Sequence, residues 1–282
     1  NFGQKPFKFP PPDGFQPLTT ANTRPVKVIS RSDQFVGVTT YKGNGSSGRA
    51  FDLGMSPDFV WVKRRDGTYD NMLFDTVRGD GKEIYSERNY AQGSPATSKL
   101  DFIPNGFNLP STGVNASSAN YVAWFWKAGG KKNTFNVDDV GYSSASDAGL
   151  DEGTITPSGA SVGTKQGFSI IQWRGVDNAS PSTISHGLTN QTPRFIIVKN
   201  LTDAENWAVY HASVGATKYG RLNSNATYDT SSAYWNDTAP TTTLITLNNS
   251  AEVQRVSRDY VLYAWADVPG LQKFGRYKTN GD

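Results

Sequence analysis

Phe59-Val-Trp-Val-Lys63 and Phe195-Ile-Ile-Val-Lys199 are the stretches that decide the fold. Each is apolar on both sides of a period-2 alternation, each follows a proline (Pro57, Pro193), and each runs into a polar residue (Arg64, Asn200). A strand apolar on both faces belongs between two covering layers, as in the centre of stacked sheets. Their likeness extends outward in both directions. Asn71-Met-Leu-Phe-Asp75 matches Trp207-Ala-Val-Tyr-His211, and Tyr121-Val-Ala-Trp-Phe-Trp-Lys-Ala128 matches Tyr260-Val-Leu-Tyr-Ala-Trp-Ala-Asp267. Upstream, Val38-Thr-Thr-Tyr-Lys-Gly43 matches Ile170-Ile-Gln-Trp-Arg-Gly175. Four blocks recurring in one order, at offsets of 132, 136, 136 and 139, make the chain a tandem duplication.

The other apolar stretches, Phe168 to Trp173 and Thr243 to Leu247 among them, are short, β-branched or aromatic, and bounded by Gly, Asn, Asp, Ser and Pro clusters. No window sustains the i, i+3, i+4, i+7 pattern of an amphipathic helix. The expected class is all-β, with tandem β-sandwich modules at 28–130 and 166–272. The Gly-, Ser-, Thr- and Asp-rich segment 131–165 reads as a linker that packs in part against a domain. Residues 273–282 match the opening of a repeat, Thr40-Tyr-Lys-Gly-Asn-Gly45, and read as a closing strand or the start of a truncated third copy. The start at Asn1 and the turn-like end at Gly281-Asp282 fit a piece of a longer chain.

Composition excludes several chemistries. The 282 residues contain no Cys, which removes disulfides, thiolate metal sites and cysteine nucleophiles, and only 2 His. A net charge of +3, with Lys63-Arg64-Arg65 as the longest basic run, gives no footprint for nucleic acid or an anionic membrane. The longest apolar run, Tyr121 to Trp126, is far below the ~18–20 residues of a spanning helix.

A family resemblance is carried by Asp138-Asp-Val-Gly-Tyr142, Gly153-Thr-Ile-Thr-Pro-Ser-Gly159, Ser161-Val-Gly-Thr-Lys-Gln-Gly-Phe168, His186-Gly-Leu188, Gly215-Ala-Thr-Lys-Tyr219 and Trp235-Asn-Asp-Thr238. From about residue 35 onward the chain resembles repeated modules of large tail and virion proteins of tailed bacteriophages, marine ones especially. The resemblance implies jelly-roll sandwiches of the concanavalin or laminin-G kind. Residues 1–27, with Asn1-Phe-Gly-Gln-Lys-Pro-Phe7 and Pro12-Asp-Gly-Phe-Gln-Pro-Leu18, resemble the end of a SPRY-type sandwich. The first copy departs from the pattern, with Asp52-Leu-Gly54 in place of the His-Gly-Leu element and no Trp-Asn-Asp-Thr.

Candidate sites each carry two readings. Tyr228, Tyr234 and Trp235, with Asn236 and Asp237, sit in a polar loop without aromatic counterparts in the first copy. They read either as an exposed ligand patch or as a plug folded over a sheet. Tyr121, Trp124 and Trp126 would suit sugar stacking. Since Trp124 and Trp126 recur as Tyr263 and Trp265, the core reading is preferred. His186 and His211 lack a partner at useful spacing and read as turn and strand-end residues. Asp66, Asp70, Asp75 and Asp80 are the candidates for calcium, but they lack a loop motif. Asp138-Asp139 and Asp151-Glu152 are adjacent pairs, and no Glu-x-Asp-x-Glu triplet is present for glycoside hydrolysis. Asn178 and Asn236 head glycosylation triplets that matter only in a eukaryotic secreted protein.

The expected function is therefore non-enzymatic. The resemblance implies a virion structural protein, foremost a tail-fibre or adhesion module displaying loops to a host-surface glycan or protein. The alternative is a capsid or tail scaffold contacting only other virion proteins. No cofactor, nucleic acid or membrane insertion is expected, and a homo-oligomer, trimeric by family expectation, is implied.

Overall fold

The computed structural model of the chain describes residues 28–176 and 181–277, so the SPRY-like reading of 1–27 lies outside the described residues. The first repeat forms β1 (Val36–Lys42), β2 (Arg49–Asp52), β3 (Phe59–Arg64), β4 (Met72–Asp75), β5 (Ile84–Tyr85), β6 (Asp101–Ile103), β7 (Gly106–Leu109) and β8 (Asn120–Trp126). A joining segment follows with β9 (Phe135–Val137), β10 (Val140–Tyr142) and β11 (Gly159–Gly163). The second repeat comprises β12 (Phe168–Arg174), β13 (Ser182–Ser185), β14 (Pro193–Asn200), β15 (Ala208–His211), β16 (Lys218–Arg221), β17 (Asp229–Thr230), a one-turn helix α1 (Ser232–Trp235), β18 (Leu244–Leu247) and β19 (Asp259–Ala266). The protein is all-β, as its alternating pattern predicts.

The duplication is visible in the sheets. A five-stranded sheet is ordered β1-β8-β3-β4-β5, and a nine-stranded sheet contains β12-β19-β14-β15 in the matching order. Registers match as well: Phe59 pairs with Trp126, and Phe195 pairs with Trp265. The four blocks that recur in the sequence thus occupy the same four positions in two sheets.

These sheets lie against each other, and each carries a smaller cover on its far side. Three clusters of buried side chains define the layers. Phe74, Phe102, Phe107 and Phe125 sit between the five-stranded sheet and the β2-β7-β6 sheet. Trp173, Tyr210, Tyr260 and Trp235 sit between the nine-stranded sheet and its cover of β13, β18 and α1. The third cluster joins the repeats: Phe59, Leu73 and Ile84 of the first pack with Phe168, Ile170, Ile197, Trp207, Tyr263 and Trp265 of the second. This is why the central strands are apolar on both faces. Phe59 is fully buried, with its ring 4.7 Å from that of Tyr263 and 6.0 Å from that of Phe168.

Several polar groups inside this contact are paired, some of them across it. Tyr263 Oη donates to Asp75 Oδ2 at 2.6 Å, and Arg78 Nε donates to the same oxygen at 2.5 Å. Trp207 Nε1 donates to the Tyr85 carbonyl at 2.8 Å, and the Gln92 N–H to the Leu201 carbonyl at 2.9 Å. Lys199, fully buried, donates from Nζ to the carbonyls of Glu205 (2.7 Å) and Asn89 (3.2 Å).

Burial pushes the Lys199 ammonium down from 10.5 to about 8, against the pull of Glu205, Glu252 and Asp203. As pH rises through 8 the folded chain releases this proton while the unfolded chain keeps it up to about 10.5, so folding stability rises across that window. The expected gain between pH 7 and 10 is about 2 kcal/mol. Urea unfolding of wild type and Lys199→Met checks it, and the variant should lack this component of the rise.

Two expectations need correction. The segment 131–165 is not a linker but three strands added to the edge of the second repeat's sheet. β9 pairs in parallel with β11, β11 antiparallel with β12, and Phe135, Leu150, Ile155, Ala160 and Val162 are core residues. Close packing, not flexibility, calls for a small residue at Gly153: a Cβ there would come within 2.5 Å of the Thr183 carbonyl oxygen. Asp138 and Asp139, at φ of 48° and 67°, form the two-residue turn between β9 and β10. At the other end, Lys273 to Tyr277 form no strand. Phe274 instead stacks on Phe195 at 5.6 Å and 9°, and residues 278–282 lie outside the described residues.

Candidate functional site

The aromatic loop of the second repeat resolves to a plug. The Ser231 side chain accepts the Ala233 N–H, starting α1, and Asn236 ends it in the left-handed region at φ 50°. Within that single turn Tyr234 stacks on Tyr219 at 3.6 Å and 10°, and Trp235 meets Tyr210 edge-on at 5.8 Å. Tyr234 is 6% and Trp235 1% exposed. Tyr228 is half-buried beside the contact between repeats, Asn236 is bonded to the Asn248 side chain, and of the five Asp237 alone is exposed. For Tyr234 and Trp235 the exposed-patch reading gives way to the plug, because α1 drives both aromatics into the core, while Tyr228 and Asn236 stay half-buried and Asp237 exposed.

The aromatic ladder divides. Tyr121 is buried and stacks on Tyr41 at 5.0 Å on the inner face, while Trp126 packs edge-on against Trp265 at 6.4 Å. Trp124 departs from the core reading, being 38% exposed.

His186 is buried in its turn, where Nδ1 accepts the Leu188 N–H at 3.1 Å and Nε2 lies 3.3 Å from the Thr241 carbonyl. Burial lowers it to about 4, so it is neutral at pH 7. His211 ends β15 beside the Ser213 hydroxyl at 2.8 Å. The acidic candidates are dispersed among separate partners: Asp66 with Arg64, Asp70 with Arg88, Asp75 with Arg78, and Asp80 accepting the Phe102 N–H. Among the described residues no three His, Asp or Glu side chains come together as a metal site.

The structure brings together a cleft that sequence reading did not single out. It lies where the first repeat passes into the second and consists of two adjoining hollows that share Gln34, Phe35 and Lys165. The smaller, about 320 Å³, is polar and reaches Lys127, Asp138, Asp139 and Gln166. The larger, about 650 Å³, adds the apolar Val28, Ile29, Val268 and Pro269.

Its walls are firmly held. Buried Asp58 accepts the N–H groups of Ala128 (2.7 Å) and Gly130 (3.1 Å), and burial pushes its carboxyl up. Gln166 Nε2 donates to the Ala128 carbonyl at 2.6 Å. Lys127 pairs with Asp139 at 2.6 Å, and Asp138 accepts from the Thr164 N–H at 2.9 Å and hydroxyl at 2.5 Å. Both turn carboxylates are thus engaged, whereas Lys165 is exposed at the seam of the two hollows. An apolar wall with the Lys165 ammonium at its rim suits binding of an oxygen-rich or anionic group. The signal that marks this loop in the sequence is its flanking glycines, Gly163-Thr-Lys-Gln-Gly167.

A duplicated β fold whose repeats share one core, with a cleft at the seam, defines the class of protein. Residues 31–282 match the family described as a domain of unknown function (DUF7483), and the chain belongs to that family. The match takes in both repeats and the joining segment, so the family unit is the fused pair. No curated protein and no solved structure gives a significant match.

Proposed function

We propose that the chain is a non-enzymatic structural module of a virion of the tailed-bacteriophage kind, located on the particle surface or tail, where it contacts other virion proteins. The supporting observation is the layered construction: two repeats joined by a closed aromatic core produce a stiff body without disulfides. A spacer or scaffold needs that stiffness, and a hinged pair of sandwiches would lack it. Burial of the Trp235 plug favours scaffolding over adhesion through that loop.

Host attachment is retained as the second reading, transferred to the junction cleft by the exposed Lys165 and the apolar wall around Phe35. No cofactor enters either reading. Immunogold labelling, with antibodies to this chain, of purified phage particles that encode it tests the first: label on the tail or particle surface is expected, and unlabelled particles would overturn it. Binding of the labelled chain to intact host cells tests the second. Binding that Lys165→Glu abolishes would move adhesion ahead of scaffolding, and no binding leaves scaffolding alone.

A further inference from the structure

Sheet edges carry unpaired backbone groups, and β proteins keep them short, charged or covered. Most outer strands here obey that rule. β5 and β17 have two residues, β6 and β10 three, and β2, β13 and β18 four. β1 does not: Val36-Gly-Val-Thr-Thr-Tyr-Lys42 is seven residues long, without proline, and charged only at its last position.

Its inner side is taken by β8. The Lys127 N–H bonds the Phe35 carbonyl at 2.8 Å and the Gly43 N–H bonds the Ala119 carbonyl at 2.7 Å. Antiparallel alternation then turns the backbone groups of Gly37, Thr39 and Tyr41 toward β8, and those of Val36, Val38 and Thr40 outward. Arg49 Nη1, donating to the Lys42 carbonyl at 2.6 Å, lies on the same outer side.

The second repeat provides an internal comparison. β12, the counterpart of β1, is flanked on both sides, by β19 and β11. The face beside the edge differs in the same sense. Val38, Trp124 and Trp61 lie side by side across β1, β8 and β3. Their counterparts Ile170, Tyr263 and Ile197 are 0%, 0% and 1% exposed, yet Val38 is 60% and Trp124 38% exposed, with Trp61 half-buried. The described chain ahead of β1 does not return along it, since Ile29 is bonded to the Pro269 carbonyl at 3.1 Å.

We propose that the β1 edge and the Val38–Trp124–Trp61 row form a docking surface for a second copy of this chain, the two β1 strands pairing antiparallel about a two-fold axis. The outward groups are self-complementary for this pairing. Val38 falls opposite the Val38 of the second copy and Val36 opposite its Thr40. Lys42, the one charged residue of β1, lies beyond the paired residues, so no like charges meet in the ladder. The apolar row then runs unbroken through both copies, with the two Val38 side chains at its centre. A second copy, not a saccharide, fits because the surface is continuous with the core shared by the repeats, and because protein of this same kind closes the equivalent row in the second repeat.

Sedimentation equilibrium of the full chain, with Val38→Lys and Thr40→Pro, tests the proposal. The wild type is expected to dimerise, with the Val36, Val38 and Thr40 amides protected from hydrogen exchange in the dimer. Each variant is expected to weaken association about tenfold or more while keeping the wild-type circular dichroism. Thr40→Pro removes only an outward N–H. Should it unfold the chain, Val38→Lys, at an exposed side chain, decides. A wild type that stays monomeric at high concentration, or a dimer or trimer that Val38→Lys leaves intact, would overturn the proposal.

Discussion

Phe59→Ala is expected to destabilise the entire chain by about 3–5 kcal/mol, the usual cost of deleting a buried Phe whose site cannot collapse. Collapse is hindered because the ring is held from both repeats: Trp126 at 5.4 Å from its own sheet, and Tyr263 and Trp265 at 4.7 and 6.4 Å from the other. The counterpart, Phe195, is only half-buried and faces the Phe274 segment. Phe195→Ala should therefore cost clearly less, although the two residues hold equivalent positions in the repeat. Urea unfolding monitored by tryptophan fluorescence measures both. Equal losses would mean that the contact between repeats is not where Phe59 acts.

Arg78→Met is expected to cost a similar ~3–5 kcal/mol, for a different reason: it leaves the buried Asp75 carboxyl group without its cationic partner. The side chains of Asp75 and Arg78 are 0% and 1% exposed. The Asp75 carboxylate also accepts the N–H groups of Val77 (3.0 Å) and Arg78 (2.8 Å) and the Tyr263 hydroxyl. Replacing both partners, as Asp75→Leu with Arg78→Met, removes the stranded carboxyl group and should recover a large part of the loss. A double variant as unstable as the sum of the singles would contradict this account. The counterpart of Asp75 is His211, so this ion pair belongs to the first repeat alone, and the Tyr263 hydroxyl reaches it from the second.

Much of this was legible in the residues. The strands, the all-β class and the duplication follow from period-2 patterns and matching blocks, because backbone pairing and burial impose them locally. That Phe59-Val-Trp-Val-Lys63 needs cover on both faces was also legible. What provides the second cover was not, because an apolar face carries no address: the partner of Phe59 is Tyr263, 204 residues on. The joining segment misled by composition, since Gly and Ser serve close strand packing as readily as loops. For Tyr234 and Trp235 the residues left patch and plug both open, because a helix of four residues is too short to show periodicity. Trp124 repeats as Tyr263, yet one is half-open and the other closed, a difference that arises in how the sheets overlap and not in either strand.

The central claim is that the two repeats fold as one body around a shared core. Differential scanning calorimetry of the full chain tests it most directly. The account predicts one transition with calorimetric and van't Hoff enthalpies equal, which Phe59→Ala moves as a whole to lower temperature. Two resolved transitions, only one of them shifted by Phe59→Ala, would contradict it.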